Sequence, residues 1–341
     1  MTGVMARKGG WTRAGSRRHF RYLDARGRRI TDPAKIARIT ALAIPPAWKD
    51  VWISPRPGAK LQATGLDAAG RRQYRYHDDY RAAQEQAKFD KLIRFADALP
   101  TLREAMSEHM EHEPMTPEWT CALAVRLINL GWFRVGDDRY TNAHKTFGIT
   151  TLRKGHVKVR GSRIAFRFRA KHRVMVRTAV VDSELAAATR VLLGTPGSRL
   201  LRYAVDDEVY NLSARRLNEY IAEYMGEEFT AKDFRTWGGT LIAAVALAEH
   251  GPVETEREAK RCVAAVMRTV GERLGNTPAV ARASYVSPAV VDQYLDGRTI
   301  DDFRPRHLRV VRARETGPDL EEHALVSLLR SWRIRSARKA A

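Results

Sequence analysis

Alternating apolar and polar residues, separated by turn residues, characterise residues 19–76 of the chain. Glycine-containing turns divide extended segments at 20–23, 51–54, 61–64 and 71–76. A period of two between such turns is typical of a small antiparallel sheet. One helix interrupts the pattern, because Asp32-Pro33 is a cap followed by proline and Ile36, Ile39 and Leu42 recur on one face. The pattern therefore predicts a β-rich N-terminal domain.

A helical period replaces the alternation from Asp78 onward, and we place the domain boundary near residue 86. Helices are predicted at about 87–98, 117–131, 181–193, 212–225, 231–249, 255–274, 278–286 and 288–296. A β-meander interrupts them, with strands at 149–152, 156–160, 164–169 and 174–177. A last amphipathic helix follows Gly317-Pro318.

These elements predict an α+β fold with two domains. A small β-rich N-terminal domain occupies residues 1–86, and its first 18 residues are expected to form a flexible basic arm. A mainly α-helical domain, which contains the short antiparallel meander, occupies residues 87–341. Its residues 298–341 form a C-terminal extension.

Two cap-and-proline pairs frame one tyrosine. Thr-Pro at 277–278 and Ser-Pro at 287–288 each place a hydroxyl residue at a helix N-cap and proline at the first helical position. Tyr285 therefore lies near the end of a short helix, and Asn276 lies in the turn before it. Packing in the core is the ordinary interpretation of a lone tyrosine, so the rest of the chain must decide its role.

The charge of the chain favours a polyanionic partner. Lys and Arg number 60 against 39 Asp and Glu, which gives a net charge of +21. Such a charge favours nucleic acid through counterion release. A membrane is disfavoured, because no apolar run approaches the ~18 residues of a spanning helix. We also expect no signal peptide and no bound nucleotide, because the chain has neither an apolar segment after its basic start nor a phosphate-binding glycine loop.

The remaining candidate chemistry is weak. Cys121 and Cys262 lie in apolar helical patterns and are expected to be buried free thiols, which is typical of a reducing compartment. We therefore expect a cytoplasmic, nucleoid-associated protein. His109 and His112 resemble a metal pair, but a solvated helix turn is the favoured interpretation. Neither a metal nor another cofactor is predicted.

Residues 71–76 read RRQYRY and allow two interpretations. As a half-buried strand, the segment would place its tyrosines in the core and its arginines in water. As a strand against a duplex, it would place its amide and phenols near base edges and its arginines on phosphates. The candidate DNA-contacting residues are Arg71, Arg72, Gln73, Tyr74, Arg75 and Tyr76.

Three basic residues have unusual local contexts. Arg134 follows a helix end, Lys171 lies in the turn between two alternating strands, and Arg235 lies on the second turn of a helix opened by a capping pattern. Each could simply be solvated, but together with Tyr285 and Asn276 they suggest transfer of a phosphodiester onto tyrosine. Two guanidinium groups would neutralise charge on the phosphoryl transition state, and an ammonium could protonate the leaving 5′ oxygen.

The ordered motifs FRVGDDRY, a lysine on a strand-turn-strand, KDFRTWGGT and LGNTPAVARASYV resemble the type IB DNA topoisomerases of the small, poxvirus-like bacterial branch. The similarity spans about residues 15–300. The resemblance implies that the protein relaxes supercoiled duplex DNA by transient single-strand cleavage, strand rotation and religation. It also implies a 3′-phosphotyrosyl intermediate, a monomer that clamps duplex DNA, and no requirement for ATP or metal.

The resemblance also implies a role for each candidate residue. Tyr285 corresponds to the nucleophile, Arg134 and Arg235 to the contacts of the scissile phosphate, and Lys171 to the general acid. Asn276 stands where many relatives carry a histidine that donates to a non-bridging oxygen. Asparagine can donate that bond but cannot transfer a proton.

Two other functions remain as alternatives. A tyrosine recombinase shares the Arg-Lys-Arg and tyrosine set, but it typically has histidine where this chain has Lys232, and its N-terminal domain is a helical bundle. A non-catalytic DNA-binding protein would explain the charge and residues 71–76, but it would leave the five-residue set unexplained.

Overall fold

The computed structural model describes residues 9–16, 19–206, 208–304 and 319–340. The chain divides into two compact units, Met1–Lys88 and Phe89–Ala341. Both this division and the predicted boundary near residue 86 fall inside one continuous helix. Residues 1–8, 17 and 18 of the predicted arm, and residues 305–318 and 341 of the predicted extension, lie outside the described residues.

An antiparallel sheet with the order β2-β1-β3-β4-β5 forms the first unit. Its strands are β1 Trp11–Ser16, β2 His19–Leu23, β3 Lys49–Ile53, β4 Leu61–Leu66 and β5 Arg72–Tyr76. Helix α1, Pro33–Ala41, begins where the Asp32 side chain accepts from the amide of Ala34, as the sequence predicts. Ile39 of α1 packs with Ile53 and Ala63 in a small core.

The prediction of a flexible arm is wrong for residues 11–16. Residues 11–16 form β1, which pairs with β2 along its length and with β3 at Trp11 and Thr12. The segment has a single large apolar side chain, Trp11, and that side chain is buried. Backbone hydrogen bonds to the adjacent β2 and the more distant β3 therefore order a segment whose own periodicity is too weak to predict a strand.

The second unit is mainly helical and confirms the α+β class. Its helices are α2 Asp78–His109, which begins in the first unit, α3 Pro117–Gly131, α4 Asp138–His144, α5 Ser183–Gly194, α6 Ala214–Met225, α7 Ala231–His250, α8 Glu256–Leu274, α9 Pro278–Ser284, α10 Pro288–Leu295 and α11 Leu320–Ala340. Threonine side chains cap α3 and α9, in each of which proline follows the cap as the sequence suggests, and Thr255 caps α8 without a following proline.

Two antiparallel sheets accompany these helices. The strands β6 Val157–Arg160, β7 Arg163–Arg169 and β8 Met175–Val181 form the predicted meander in the order β6-β7-β8. The strands β9 Arg202–Val205 and β10 Glu208–Asn211 form a hairpin that the sequence did not reveal. The predicted strand at 149–152 is wrong, because Ile149–Thr151 forms a 3₁₀ turn. In this turn the amide of Gly148 donates to the hydroxyl of Thr151 at 2.9 Å.

The prediction that His109 and His112 lie on a solvated turn is correct for His112, which is exposed, and wrong for His109. His109 is buried, and its Nδ1 lies 2.8 Å from the Tyr220 hydroxyl. Cys121 is a buried free thiol, as predicted, whereas Cys262 is only partly buried. Among the helices of the described ranges, none has the length and apolar character needed to cross a bilayer.

Candidate active site

Helix α7 holds Arg235 in the interior of the second unit. The helix begins with the predicted capping box, in which the Asp233 carboxylate accepts from the amide of Thr230 at 2.9 Å. Arg235 follows and is only 4% exposed. Its Nη1 donates to the Trp132 carbonyl at 2.5 Å and its Nη2 to the Leu274 carbonyl at 2.8 Å. Its buried Nε has no partner among the described residues.

Arg134 reaches the same place from the loop after α3. Trp132 adopts the left-handed conformation, with φ of 48°, and turns the chain at the end of that helix. The Arg134 carbonyl then accepts from the amide of Ile149 at 2.7 Å, which fixes the loop backbone. The Arg134 Nη2 donates to Oδ1 of Asn276 at 2.5 Å and to the Gly275 carbonyl at 3.3 Å. The guanidinium is therefore bound to the turn between α8 and α9.

The Asn276 side chain is oriented by its contact with Arg134. Helix α8 is closed by Gly275, whose φ of 61° is favourable for glycine, and the amide of Asn276 donates to the Gly271 carbonyl at 2.7 Å. Because Arg134 occupies Oδ1, the amide group Nδ2 must point the other way. Nδ2 is buried and has no acceptor within the described part of the chain. A hydrogen-bond donor is thus left without an acceptor in the turn that holds the Arg134 guanidinium.

Close packing against α7 fixes the position of Tyr285. Thr277 caps α9 through the amide of Val280, and Tyr285 ends that helix, as predicted. The Thr240 hydroxyl accepts from the amide of Ser287 at 3.1 Å and lies 3.2 Å from the Tyr285 carbonyl. A Cβ on Gly239 would lie 2.7 Å from that carbonyl, so only glycine allows this approach. Sequence reasoning missed Gly239 and Thr240, because nothing local marks them as contacts of a segment 45 residues away.

Positive charge surrounds the phenol of Tyr285. The Arg235 guanidinium lies 4.9 Å from the centre of its ring. Burial alone would raise the pKa of Tyr285, but Arg235, Arg134 and Lys232 outweigh burial and lower that pKa below its ordinary value. Burial and the charge of Arg134 lower the pKa of Arg235 to about 10, and burial lowers the pKa of Arg134. Both arginines remain cations at neutral pH.

Neither guanidinium is joined to a carboxylate in the hydrogen bonds of the described residues; both donate to neutral oxygens. Two buried like charges without a counterion are costly, and an anion bound between them would relieve that cost. The geometry therefore suits a phosphodiester held beside the Tyr285 hydroxyl.

Lys171 lies in the connection between β7 and β8, as predicted. The connection is a 3₁₀ turn, Lys171–Arg173. The amide of Ala170 donates to the Val174 carbonyl at 2.8 Å across this turn. Lys171 is exposed, and no contact within the described ranges joins it to the cluster of arginines, Asn276 and Tyr285. Its neighbours Ala170 and Val174 line a cavity of about 500 Å³ together with Arg134 and Arg235.

The tyrosines of β5 are not in the core. Tyr74 and Tyr76 are 49% and 39% exposed, and their rings stack with centroids 6.1 Å apart. Tyr80 continues the row, with its ring centroid 5.3 Å from that of Tyr76. The interpretation that buries these aromatics is wrong, because the small core of the first unit lies on the other side, where Ala63 and Ile53 pack.

The polar side chains of β5 are partly engaged within the first unit. Asp67 accepts from Nε2 of Gln73 at 2.9 Å and pairs with Arg71 at 2.8 Å. The hydrogen bonds from Arg71 lower the pKa of Asp67 to about 2. Arg75 donates to the Ala43 carbonyl at 2.9 Å, and Arg72 is partly buried. The sequence predicted the same role for all three arginines, whereas in the structure each has different contacts and exposure.

No cluster of three His, Cys, Asp or Glu side chains that could hold a metal ion occurs in the described part of the chain.

Comparison with known proteins gives two family matches. Residues 77–299 match the catalytic core of eukaryotic DNA topoisomerase I, and residues 19–67 match the N-terminal domain of bacterial DNA topoisomerase IB. DNA topoisomerase 1B of Acanthamoeba polyphaga mimivirus is 32% identical over 267 residues, which cover 76% of this chain and 80% of that protein. DNA topoisomerase 1B of Vaccinia virus (strain Copenhagen) is 20% identical over 245 residues, 71% of this chain and 75% of that protein.

Proposed function

Since the chain belongs to the type IB DNA topoisomerases, we propose that Tyr285 is the nucleophile with which it cleaves and reseals one strand of duplex DNA. The enzyme is an isomerase that relaxes supercoiled DNA by the type IB mechanism. The single observation that supports this assignment is the position of the half-buried Tyr285 phenol beside two guanidinium groups that lack a carboxylate partner among the described residues.

In the cleavage step, the Tyr285 oxygen forms a bond to phosphorus while the bond from phosphorus to the 5′ oxygen breaks. The phenolic proton is lost, and the 5′ oxygen gains one. The DNA becomes joined to the enzyme through a 3′-phosphotyrosyl bond, and the free 5′ strand rotates. Attack by the 5′ hydroxyl reverses the step, so the phosphodiester energy is retained and ATP is not needed.

Arg134 and Arg235 neutralise the charge that develops on the phosphoryl oxygens. Their guanidinium groups are fixed by backbone carbonyls before DNA binds, so the site needs little rearrangement when the transition state forms. The free donors, Nε of Arg235 and Nδ2 of Asn276, supply hydrogen bonds to non-bridging oxygens. Lys171 protonates the leaving 5′ oxygen from the connection between β7 and β8.

The exposed row of tyrosines on β5 is proposed to face the duplex. Tyr74 and Tyr76 present flat rings with a phenol at the tip, and Arg72 lies at the start of the same strand. We assign the contact of base edges to the phenols and to Gln73, and the phosphate contacts to Arg71, Arg72 and Arg75. In this proposal the first unit is one side of a clamp that a monomer closes on DNA in the nucleoid of the cytoplasm.

The test of the proposed function is relaxation of a supercoiled plasmid in EDTA. The wild-type protein is expected to relax any plasmid, which a recombinase that needs partner sites would not do. Tyr285→Phe should abolish relaxation and covalent trapping but keep DNA binding, because only the hydroxyl is lost. Tyr294→Phe is the matched control, since that buried phenol donates to the Gly251 carbonyl and lies against Cys262. A covalent complex that persists in Tyr285→Phe would identify another nucleophile.

A further inference from the structure

A buried carboxylate begins the C-terminal helix α11. Glu322 is 3% exposed, yet every donor it needs is present. Arg103 of α2 donates two hydrogen bonds at 2.8 Å each, the amide of Asp319 donates at 3.1 Å, and Nε1 of Trp237 donates at 3.1 Å. Burial raises the pKa of Glu322, but these donors, led by Arg103, outweigh it and lower that pKa, so the group stays ionised. A fully satisfied buried charge tolerates little displacement of its partners.

One of those partners belongs to α7, the helix that carries Arg235. Trp237 lies two positions after Arg235 and is buried against Phe95 of α2, with ring centroids 6.0 Å apart. On the opposite side of the same turn, Gly239 contacts Tyr285. Helix α7 is thus held between the carboxylate of α11 and the segment that carries the nucleophile.

Helix α11 lies outside both regions that match known families, which end at residues 67 and 299. Its contact with α7 is therefore not accounted for by the family matches. A rotation of α7 would move Trp237 and Arg235 together, because both project from the same two turns of a rigid helix.

We propose that Glu322 is a positioning residue, which holds α7 through Trp237 and thereby keeps Arg235 aligned with Tyr285. The inference rests on the proposed function, in which Arg235 contacts the scissile phosphate. Glu322 itself is buried at the start of α11 and acts only through the indole of Trp237.

The primary test is single-turnover cleavage of a short duplex by Glu322→Gln. The substitution keeps the shape of the side chain and removes the charge that accepts from Arg103 and Trp237. We expect cleavage to slow by roughly 10- to 100-fold, as is typical when a reacting group is misplaced from a distance. Arg330→Gln is the matched control on α11, because it breaks only the exposed pair with Asp97, at 2.7 Å, and should cleave as wild type does.

A second substrate separates positioning from general destabilisation. A scissile methylphosphonate has one non-bridging oxygen replaced by methyl, so its cleavage depends less on a cation beside the phosphorus. The defects of Arg235→Ala and Glu322→Gln should both shrink on this substrate. The double variant should be no slower than Arg235→Ala alone on the ordinary phosphodiester, because the contribution of Glu322 passes through Arg235.

Each outcome has a distinct meaning. Equal loss on both substrates, or losses that multiply in the double variant, would overturn the positioning role. If Arg235→Ala is slow and Glu322→Gln cleaves normally, only this inference fails; if Arg235→Ala cleaves normally, the proposed function of Arg235 fails. Should Glu322→Gln not fold, Trp237→Phe provides the same test, since it removes the donor to Glu322 and keeps an aromatic ring in the core.

Discussion

Arg134 and Asn276 form one unit in this site. An asparagine in this turn could either donate to the phosphate or close the preceding helix in the left-handed conformation. In the structure Gly275 is the left-handed residue that closes α8, and Oδ1 of Asn276 accepts from Arg134. The same contact that orients the guanidinium also turns Nδ2 away from it, so the pair presents two donors in fixed directions.

The Asn276 donor gives the first prediction. Asn276→Ala should slow cleavage and resealing together, by about 10²–10³-fold, which is the usual loss for a donor to a transition-state oxygen. Asn276→His should retain substantial activity, because an imidazole N–H can occupy the same place. Rapid-quench kinetics and thermal melting decide the matter. Normal cleavage with a lowered Tm would show that the side chain only supports the turn.

The lowered pKa of Tyr285 gives a prediction about pH. Cations favour the phenolate in the folded state, so stability from this group appears only above the folded pKa and is absent at neutral pH. The cleavage rate should therefore rise with pH and level off below the ordinary phenol pKa of about 10. Lys232→Gln should raise the pH at which the rate levels off, because it removes a cation near the phenol. Lys158→Gln, on the exposed side of β6, should leave that pH unchanged. If the pH at which the rate levels off is unchanged in Lys232→Gln, Lys232 does not influence the pKa of the Tyr285 phenol.

At the scale of elements, caps and periodicity predicted most of the fold. The helices α1, α3 and α9 begin at the predicted cap residues, α8 lies where the helical period predicts it, and the meander of β6, β7 and β8 lies where alternation predicts it. The failures share a cause. The strand β1 pairs with β2 and β3, the amide of Ala204 in β9 donates to the Met115 carbonyl, and the amide of Ile149 donates to the Arg134 carbonyl. Partners outside each segment therefore hold it, and a local period does not record them.

The connection between β7 and β8 gives an element-scale prediction for Lys171. Its exposed position at the edge of the cavity requires the hairpin to place the ammonium near the 5′ oxygen when DNA binds. Lys171→Ala should slow cleavage by roughly 10²–10⁴-fold, the range of general acids. A substrate with sulfur at the 5′-bridging position needs no proton and should restore the rate. Equal losses on the two substrates would assign Lys171 to binding.

The contact between α7 and Tyr285 gives a prediction about packing. A Cβ at position 239 would lie 2.7 Å from the Tyr285 carbonyl and 3.0 Å from its Cβ, so Gly239→Ala must separate the two segments. We expect a loss of about 1–3 kcal/mol in unfolding free energy and a larger relative loss in cleavage rate. Gly194→Ala, at the end of α5 with open space around it, is the control and should lower neither the unfolding free energy nor the cleavage rate. Normal cleavage by Gly239→Ala would show that the site tolerates a shift of the nucleophile.

At the scale of the whole molecule, the sequence predicted the partner and most of the candidate site but not the contacts that support that site. Charge and motif order were enough to name Arg134, Arg235, Asn276 and Tyr285, which the structure brings together. Two aspects could not be predicted. The first is whether each arginine near β5 is already hydrogen-bonded, which depends on the carbonyl or carboxylate that lies beside it. The second is the hydrogen bond between Glu322 and Trp237 of α7, which joins residues 85 positions apart.

The net charge of +21 leads to the last prediction, which concerns binding of the whole protein to DNA. Using Tyr285→Phe, which cannot cleave, log K for a duplex should fall linearly with log salt at ~0.9 per phosphate contact. Arg72→Gln should lower that slope by about one contact, because no hydrogen bond within the described residues engages its guanidinium. Arg28→Gln, whose guanidinium already pairs with Asp24 at 3.0 Å, should leave it unchanged. Plasmid relaxation by the wild type should change from processive to distributive over the same salt range. A flat slope would mean that apolar and base contacts, rather than phosphates, hold the protein on DNA.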